Sequence, residues 1–519
     1  MLSKRVRWTY YLTVTGLLVL LAACAPAVKP ATTAVQPQPT AKNEWVIITA
    51  EEAENLNPHT MSTLGSEMMN RNVLEPLFDF QGPDLALTPK LAESWEVLSD
   101  NVTYVFHLRK GVKFTNGEDF NADAVKFSFD LYSLKESKRY NYIGMLVKEI
   151  KVIDPYTVHL VLLQPSPIIL QSVNQLSILP PAYYKKVGDA EFGKTPVGTG
   201  PYKLVEWKKG EQMVFERNKE YWGPKPTPDR LVVRPIKEAS TRVAELLAGS
   251  ADIIAGLPLE QVGDITAKKD LAVEPVKGAR QMVFPFYQTK KPFTDVKVRT
   301  ALNLAVDRAS IVKDILQGYG TALRGPNFAS GTLGSDPSVP EYPYDPTQAK
   351  KLLAEAGYPD GFTANWNVSQ GAFVKDMEIS EAIAGQLAKI GVKLNLIVNE
   401  RPKLVASFME GDFPEMTSTT WGTVKDPDVW LSWNMVNRKS FTDKTAIDML
   451  MESKVTPDPD KRNAVFQKLF KYLHDNPVWL YVVATDDLYA ARKDIGWKPY
   501  AFRSDLGYTY YWIPGESSK

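Results

Sequence analysis

The sequence predicts a mixed α/β protein of two lobes facing one another, with an extra inserted domain that is mostly β. Three observations predict it. At 519 residues the chain exceeds what one hydrophobic core normally supports, so two or three domains are expected. Strand and helix patterns alternate in two separate blocks, one around Glu44 to Ile48 and Leu231 to Ile254, the other from Lys291 to Val398, and such a rhythm builds α/β lobes. Within the first block, residues 77–196 carry period-two patterns typical of antiparallel strands.

The chain opens with Lys4, Arg5 and Arg7, followed by the apolar run Tyr11 to Leu21, which has the length of a signal-peptide core and is too short for a comfortable membrane span. Leu21-Ala22-Ala23-Cys24 follows at once and resembles a bacterial lipobox, where the cysteine is acylated and becomes the mature N-terminus. Cys24 is the sole cysteine, which rules out an internal disulfide. Residues 25–43 carry Pro26, Pro30, Pro37 and Pro39 among Ala, Thr, Val and Gln, and read as an extended tether of about 3 Å per residue where polyproline-like. The expectation is a signal peptide over 1–24, a lipid anchor at Cys24 and a body outside the cytoplasmic membrane. A net charge of +1 gives no reason to expect nucleic acid as a partner.

Glu44 to Ile48 reads as the first strand and Asn70 to Leu77 as a helix. Val102, Tyr104, Phe106 and Leu108 alternate with Thr103, Val105, His107 and Arg109, which predicts a strand with one buried face, joined through Ser99-Asp100-Asn101 to the run Trp95 to Leu98 as a hairpin. Gly111 and Asn116-Gly117 turn the chain. Asn121 stands where a helix N-cap belongs, with Val125, Phe129 and Tyr132 as the buried stripe. Residues 147–163 give an antiparallel pair around Asp154-Pro155. A hairpin over 202–217, a strand over 231–235, a helix over 241–248 stopped by Gly249 and a short strand over 252–254 complete the first block.

In the second block, residues 296–316 are helical with a break at Asp307. Asp345-Pro346 supplies an N-cap and a first-position proline for a helix that Gly357 ends. Ile379, Ile383, Leu387 and Ile390 form another stripe, Gly391 stops it, and Val392 to Val398 is a strand. A final helix covers 460–474, and the strand 478–484 returns to the first lobe. Residues 246–252 and 407–413 share a helix end, a glycine and a strand start, an echo between the blocks.

Gly188 to Thr195 has the letters of a P-loop, but no buried strand precedes it, and Pro196, Gly198, Gly200 and Pro201 forbid the helix whose amides would hold phosphate. The four histidines are scattered, and neither HExxH nor GxSxG nor a CxxC pair occurs, so zinc chemistry and the usual acyl-transfer signatures are missing. A glycosidase carboxylate pair has no short motif and stays open. Asp458-Pro459-Asp460 lacks the glycine and distal glutamate of a calcium loop and reads as a helix cap. Thr417 to Trp433 is the segment that suggests binding, packing three tryptophans and two aspartates among Pro and Gly: stacking surface with a few polar groups on an irregular loop.

Longer stretches carry a family resemblance. LAESWEV (Leu91 to Val97), YVFHLRKGVKFTNGEDFNADAVKFS (Tyr104 to Ser128), VGTGPY (Val197 to Tyr202), NKEYWGP (Asn218 to Pro224) and PFTDVKVRTALNLAVDR (Pro292 to Arg308) resemble, in this order, the signatures of the family 5 extracellular solute-binding proteins, the peptide-type receptors of ABC importers. The resemblance implies a periplasmic-binding-protein-like fold of type II (cluster C). Domain I then comprises 44–76, 197–285 and 478–519; domain II is the insertion 77–196; domain III is 286–477. It implies a monomeric receptor without cofactor, metal or catalysis. The receptor closes about a hinge on a small-molecule or peptide ligand and presents it to permease subunits, ATP being hydrolysed by a separate cytoplasmic partner. An oligosaccharide receptor of the same family and a membrane-anchored hydrolase are the alternatives.

The resemblance also places the pocket wall at Trp421, Asp426, Asp428 and Trp430, with Phe286 and Arg401 as further ligand-binding candidates. In peptide-binding members an aspartate three residues after the tryptophan holds the ligand's ammonium. Here that position is Val424. Either Asp426 takes the role or the protein does not read a free amino terminus.

Overall fold

The computed structural model describes residues 43–81, 86–326, 332–371, 373–400, 403–404, 406–407, 414–422, 426–436, 441–499, 502–504 and 507–509. The expected signal peptide, Cys24 and nearly all of the tether lie outside them, as do Arg401, Val424 and most of the 407–413 echo.

β1 (Glu44–Thr49) leads to a helix over Leu64–Asn70, begun by Thr63, whose hydroxyl accepts from the Ser66 amide at 3.3 Å. This corrects the helix expected over 70–77. The Thr63 cap starts the helix a turn and a half earlier, and after Asn70 the chain breaks into turns.

The insertion holds the hairpin β2 (Phe78–Gln81) and β3 (Ala86–Pro89), then β4 (Ala92–Val97), β5 (Thr103–Leu108), β6 (Val147–Asp154) and β7 (Thr157–Leu162) in an antiparallel sheet of order β4-β5-β7-β6. The helix Ala122–Tyr132 covers it, with the Asn121 carboxamide accepting from the Ala124 amide at 3.1 Å and Val125, Phe129 and Tyr132 fully buried. β5 departs from strict alternation. As an inner strand it is buried on both faces from Thr103 to Phe106, and His107 alone is only partly buried.

The largest sheet is assembled from distant segments: β8 (Tyr202–Lys208), β9 (Gln212–Arg217), β10 (Arg230–Pro235), β11 (Ile253–Ala255), β12 (Leu271–Pro285), β13 (Gly320–Ala322) and, beyond the second block, β17 (Thr419–Gly422) and β18 (Trp479–Arg492). Its order is β17-β12-β18-β11-β1-β10-β9-β8, with β13 on β18. β1 lies parallel to β10 and β11, and its alternating side chains serve two cores: Ile47 packs with Phe106 and Phe129, Ile48 with Phe284, Trp366 and Ile379.

The second block stacks the parallel strands β14 (Phe362–Ser369), β15 (Val392–Asn399) and β16 (Met416–Thr417) in the order β15-β14-β16. The helix Asp376–Ala388 packs on them through Ile379, Ile383 and Leu387. Asp345 and Asp458 cap helices as the sequence predicts, and Asp307, the expected break, caps the restarted helix; they accept from the amides of Gln348, Lys461 and Ser310 at 2.8, 2.9 and 3.0 Å.

β12 and β18 join the blocks. At Leu271–Val276 and Asp487–Arg492 they pair with each other and β18 borders β11; at Arg280–Pro285 and Trp479–Thr485 β12 borders β17 and β18 borders β13. No helix among the described residues is long and apolar enough to cross a membrane.

Candidate ligand-binding cleft

Between the two halves of the paired strands the register breaks. Val276 faces Asp487 and Arg280 faces Thr485, so Lys277, Gly278 and Ala279 oppose the single residue Asp486. This is a β-bulge, the device that bends a strand locally. Asp486 holds it. Its side chain is fully buried, accepting from the Gly278 amide at 2.9 Å and from Lys277 Nζ at 2.6 Å. Gly278 has φ +61°, a conformation that glycine adopts without steric cost.

On the floor of a cavity of about 760 Å³ lie Asp486, opposite the bulge, and its neighbours Arg280 and Asp487. One wall is Thr49 to Glu51 after β1, Ala255 to Glu260 after β11, and Leu488 and Tyr489 of β18; the other is Gln370 to Glu378 after β14. Three parallel-paired strands thus point their carboxyl ends into one space, the position where open α/β sheets bind ligands. The volume lies within the roughly 300–1,000 Å³ of small-molecule sites.

Met68, Leu257, Phe373, Val374, Met377 and Tyr489 give the cavity apolar surface, and several of its charged groups pair with one another. Arg280 Nε stands 3.4 Å from Asp487 Oδ1 on the neighbouring strand. Lys375 pairs with Glu260 on the opposite wall and with Glu378 at 3.0 Å on its own helix. The hydrogen bond from Lys375 holds the Glu260 carboxyl below its ordinary range. Asp376 fixes the loop before the helix by accepting from the amides of Gly371 and Phe373 at 3.0 and 3.2 Å.

The residues singled out in the sequence fall around this cleft unevenly. Trp421 lies on β17 with its backbone in register with Gln281, next to Arg280 of the cavity floor. The 417–433 segment is more regular than the expected loop, because β17 occupies 419–422 and a helix starts at Asp428. Asp426 and Asp428 do not line the cavity. Asp426 is buried against the Arg462 guanidinium, and Asp428 accepts from Ser432 Oγ at 2.7 Å and pairs with Lys454 at 2.8 Å. Their carboxylates are thereby committed to holding helix to helix. Trp430 packs half-buried on the core of the second block. Phe286 is a core residue stacked on Phe293, ring centroids 5.0 Å apart.

Sequence reasoning missed Arg280, Lys375, Asp486 and Asp487. The signal for the last two was present: a pair of aspartates inside a mostly apolar fourteen-residue strand. The P-loop letters at 188–195 run over the last part of the helix Pro181–Phe192, kinked at Gly188, and on past its end. Among the described residues no cluster of three or more His, Cys, Asp or Glu is arranged to hold a metal ion.

Comparison with known proteins gives a consistent pattern. Residues 86–442 match the family model described as "Bacterial extracellular solute-binding proteins, family 5 Middle". The chain is 30% identical over 509 residues to heme-binding protein A of Haemophilus influenzae, covering 91% of this chain and 93% of that protein. It is 29% identical over 476 residues to the glutathione-binding protein GsiB of Shigella dysenteriae, covering 88% and 91%. Among solved structures, the periplasmic binding protein DppA from Helicobacter pylori in complex with the peptide STSA superposes with a TM-score of 0.71 at 25% identity, over 92% of this chain and 99% of that one.

Proposed function

The chain belongs to the bacterial extracellular solute-binding proteins of family 5, the receptors of ABC importers, and from that membership we propose that it captures a short peptide or a related small solute in the 760 Å³ cleft. The observation that carries this reading is the convergence of the β1, β11 and β14 ends on one cavity, floored beside a bulge in the two strands that join the blocks. A bulge there is a place to bend, and bending closes one wall on the other.

The relatives' ligands support a peptide-like solute, since one solved relative holds a four-residue peptide and another is named for glutathione. With Asp426 engaged by Arg462, the Arg280–Asp487 pair is the better match to a ligand's two termini. Arg280 would take the carboxylate and Asp487 the ammonium, each exchanging an internal partner for a ligand group.

The wider arrangement in this reading is a protein acylated at Cys24, monomeric, divided at about residues 76, 196, 285 and 477, and without catalysis. Mass spectrometry of solute retained by the purified protein, followed by calorimetric titration of that solute into wild type, Arg280→Gln and Asp487→Asn, tests it. A zwitterionic peptide whose affinity falls about tenfold or more in both variants supports it, a charge-assisted hydrogen bond being worth ~1.5–3 kcal/mol. A neutral sugar bound equally by all three would overturn the peptide assignment.

A further inference from the structure

Lys375, on the 370–378 wall, makes an ion pair that spans the cavity. It stands at the N-cap of the helix Asp376–Ala388 with φ +53°, a left-handed backbone that a non-glycine residue adopts only when its surroundings impose it. The imposing contacts are those of Asp376, which binds the amides of Gly371 and Phe373 and fixes the loop on which Lys375 is presented. From this position the ammonium reaches Glu260, on the 3₁₀ turn Leu259–Gln261 of the facing wall. It also reaches Glu378, one turn along its own helix, at 3.0 Å. The hydrogen bond to Glu260 and then that to Glu378 raise the affinity of the Lys375 amine for its proton, so the strap stays charged.

We propose that Lys375 is a strap across the mouth of the cleft: its ammonium ties the two walls through Glu260 when they are closed and rests on Glu378 alone when they part. Glu378 makes the device reversible. It keeps the ammonium in place in the open form, so closing requires no search by a long, free side chain. Glu260 and Glu378 are more than half exposed, at 57% and 51%, and the pair is a weak one by design of its position. A weak strap lets a ligand in and out yet biases the lobes toward closure. The proposal rests on reading these segments as opposite walls of the ligand cleft, but lobe separation can be measured with no ligand present.

The test uses the chain's lack of other thiols. Cys24→Ser, Lys237→Cys and Glu381→Cys place one spin label on an exposed site of each block, and pulsed dipolar spectroscopy reads the distance distribution without ligand. Lys375→Met and Glu260→Gln should each increase the ratio of open to closed populations by about twofold to fivefold, the range of an exposed pair. The double variant should add little to either single change. Glu378→Gln should shift the ratio the other way, because it removes the partner of the open form. Salt at ~1 M should abolish the difference between wild type and Glu260→Gln. Identical distributions in wild type, Lys375→Met and Glu260→Gln would overturn the strap, as would strictly additive effects. A strap confirmed in this way while the retained solute protects residues elsewhere would instead refute the cleft as the ligand site.

Discussion

Asp426 and Arg462, thirty-six residues apart in sequence, form a two-pronged ion pair with side chains only 7% and 3% exposed. Nη2 donates to Oδ1 at 3.0 Å, Nη1 donates to Oδ2, and Nε donates to the Ser453 carbonyl at 2.8 Å. The pair joins the start of the helix that carries Trp430 to the last long helix of the chain. Removing one partner strands the other charge away from water. Asp426→Asn should therefore lower the unfolding free energy by roughly 3–5 kcal/mol, measured by urea denaturation. Replacing both residues by Asn and Met should recover part of that loss. A cost below about 1 kcal/mol for the single variant would mean the carboxylate is free for another task.

Gly278 sits in the bulge with φ +61°, and a Cβ built there would meet only Ala484 Cβ at an ordinary 3.9 Å. Sterics with neighbours are thus no obstacle, and the penalty of Gly278→Ala is conformational, about 1–2 kcal/mol. Because the residue lies at the junction of the two blocks, solute affinity should change as well as stability. Denaturation and calorimetry on this variant separate the two. A stability loss with unaltered affinity would locate the pivot elsewhere.

Much of this fold is legible in the sequence where local chemistry decides. Asn121, Asp307, Asp345 and Asp458 cap helices because a short acceptor before an amphipathic run satisfies free amides wherever it occurs. The stripe Ile379, Ile383, Leu387 is buried because its period admits one packing face. The cleft is different. Arg280, Asp486 and Asp487 come together through a register shift between strands 206 residues apart, and no local pattern encodes which residues will bulge. Asp426 misled for a related reason. Beside tryptophans, a proline and a glycine it has the composition of a binding loop, and only the arrival of Arg462 in space turns it into a brace.

Glu75 offers a pH test. It is buried, and loss of hydration pushes its carboxyl above the ordinary range despite nearby Lys90 and hydrogen bonds from Tyr221, Trp222 and Thr199 at 2.7, 2.8 and 2.9 Å. The folded form therefore binds this proton more tightly than the unfolded chain does. Its contribution is fully present below the unfolded value near 4.5 and is lost as pH rises through the raised folded value. Relative to Glu75→Gln, wild type should gain stability as pH falls from 7 toward 4.5, in denaturation curves taken at fixed ionic strength. A pH-independent difference would show that the three donors hold Glu75 ionised as easily as water does.

Cys24 should carry the anchor. Cys24→Ala should abolish incorporation of labelled palmitate and stop lipoprotein processing. Continued labelling of the variant would remove the lipobox from the account.

In the proposed receptor, solute sits between the walls at residues 255–260, 370–378 and 486–489. Hydrogen–deuterium exchange, comparing protein that retains its co-purified solute with protein stripped of it by unfolding and refolding, tests this directly. All three segments should slow together on binding, with the bulge at 277–279 changing in parallel. Protection confined to one wall, or lying instead in the groove lined by Lys194 to Lys209, would contradict it.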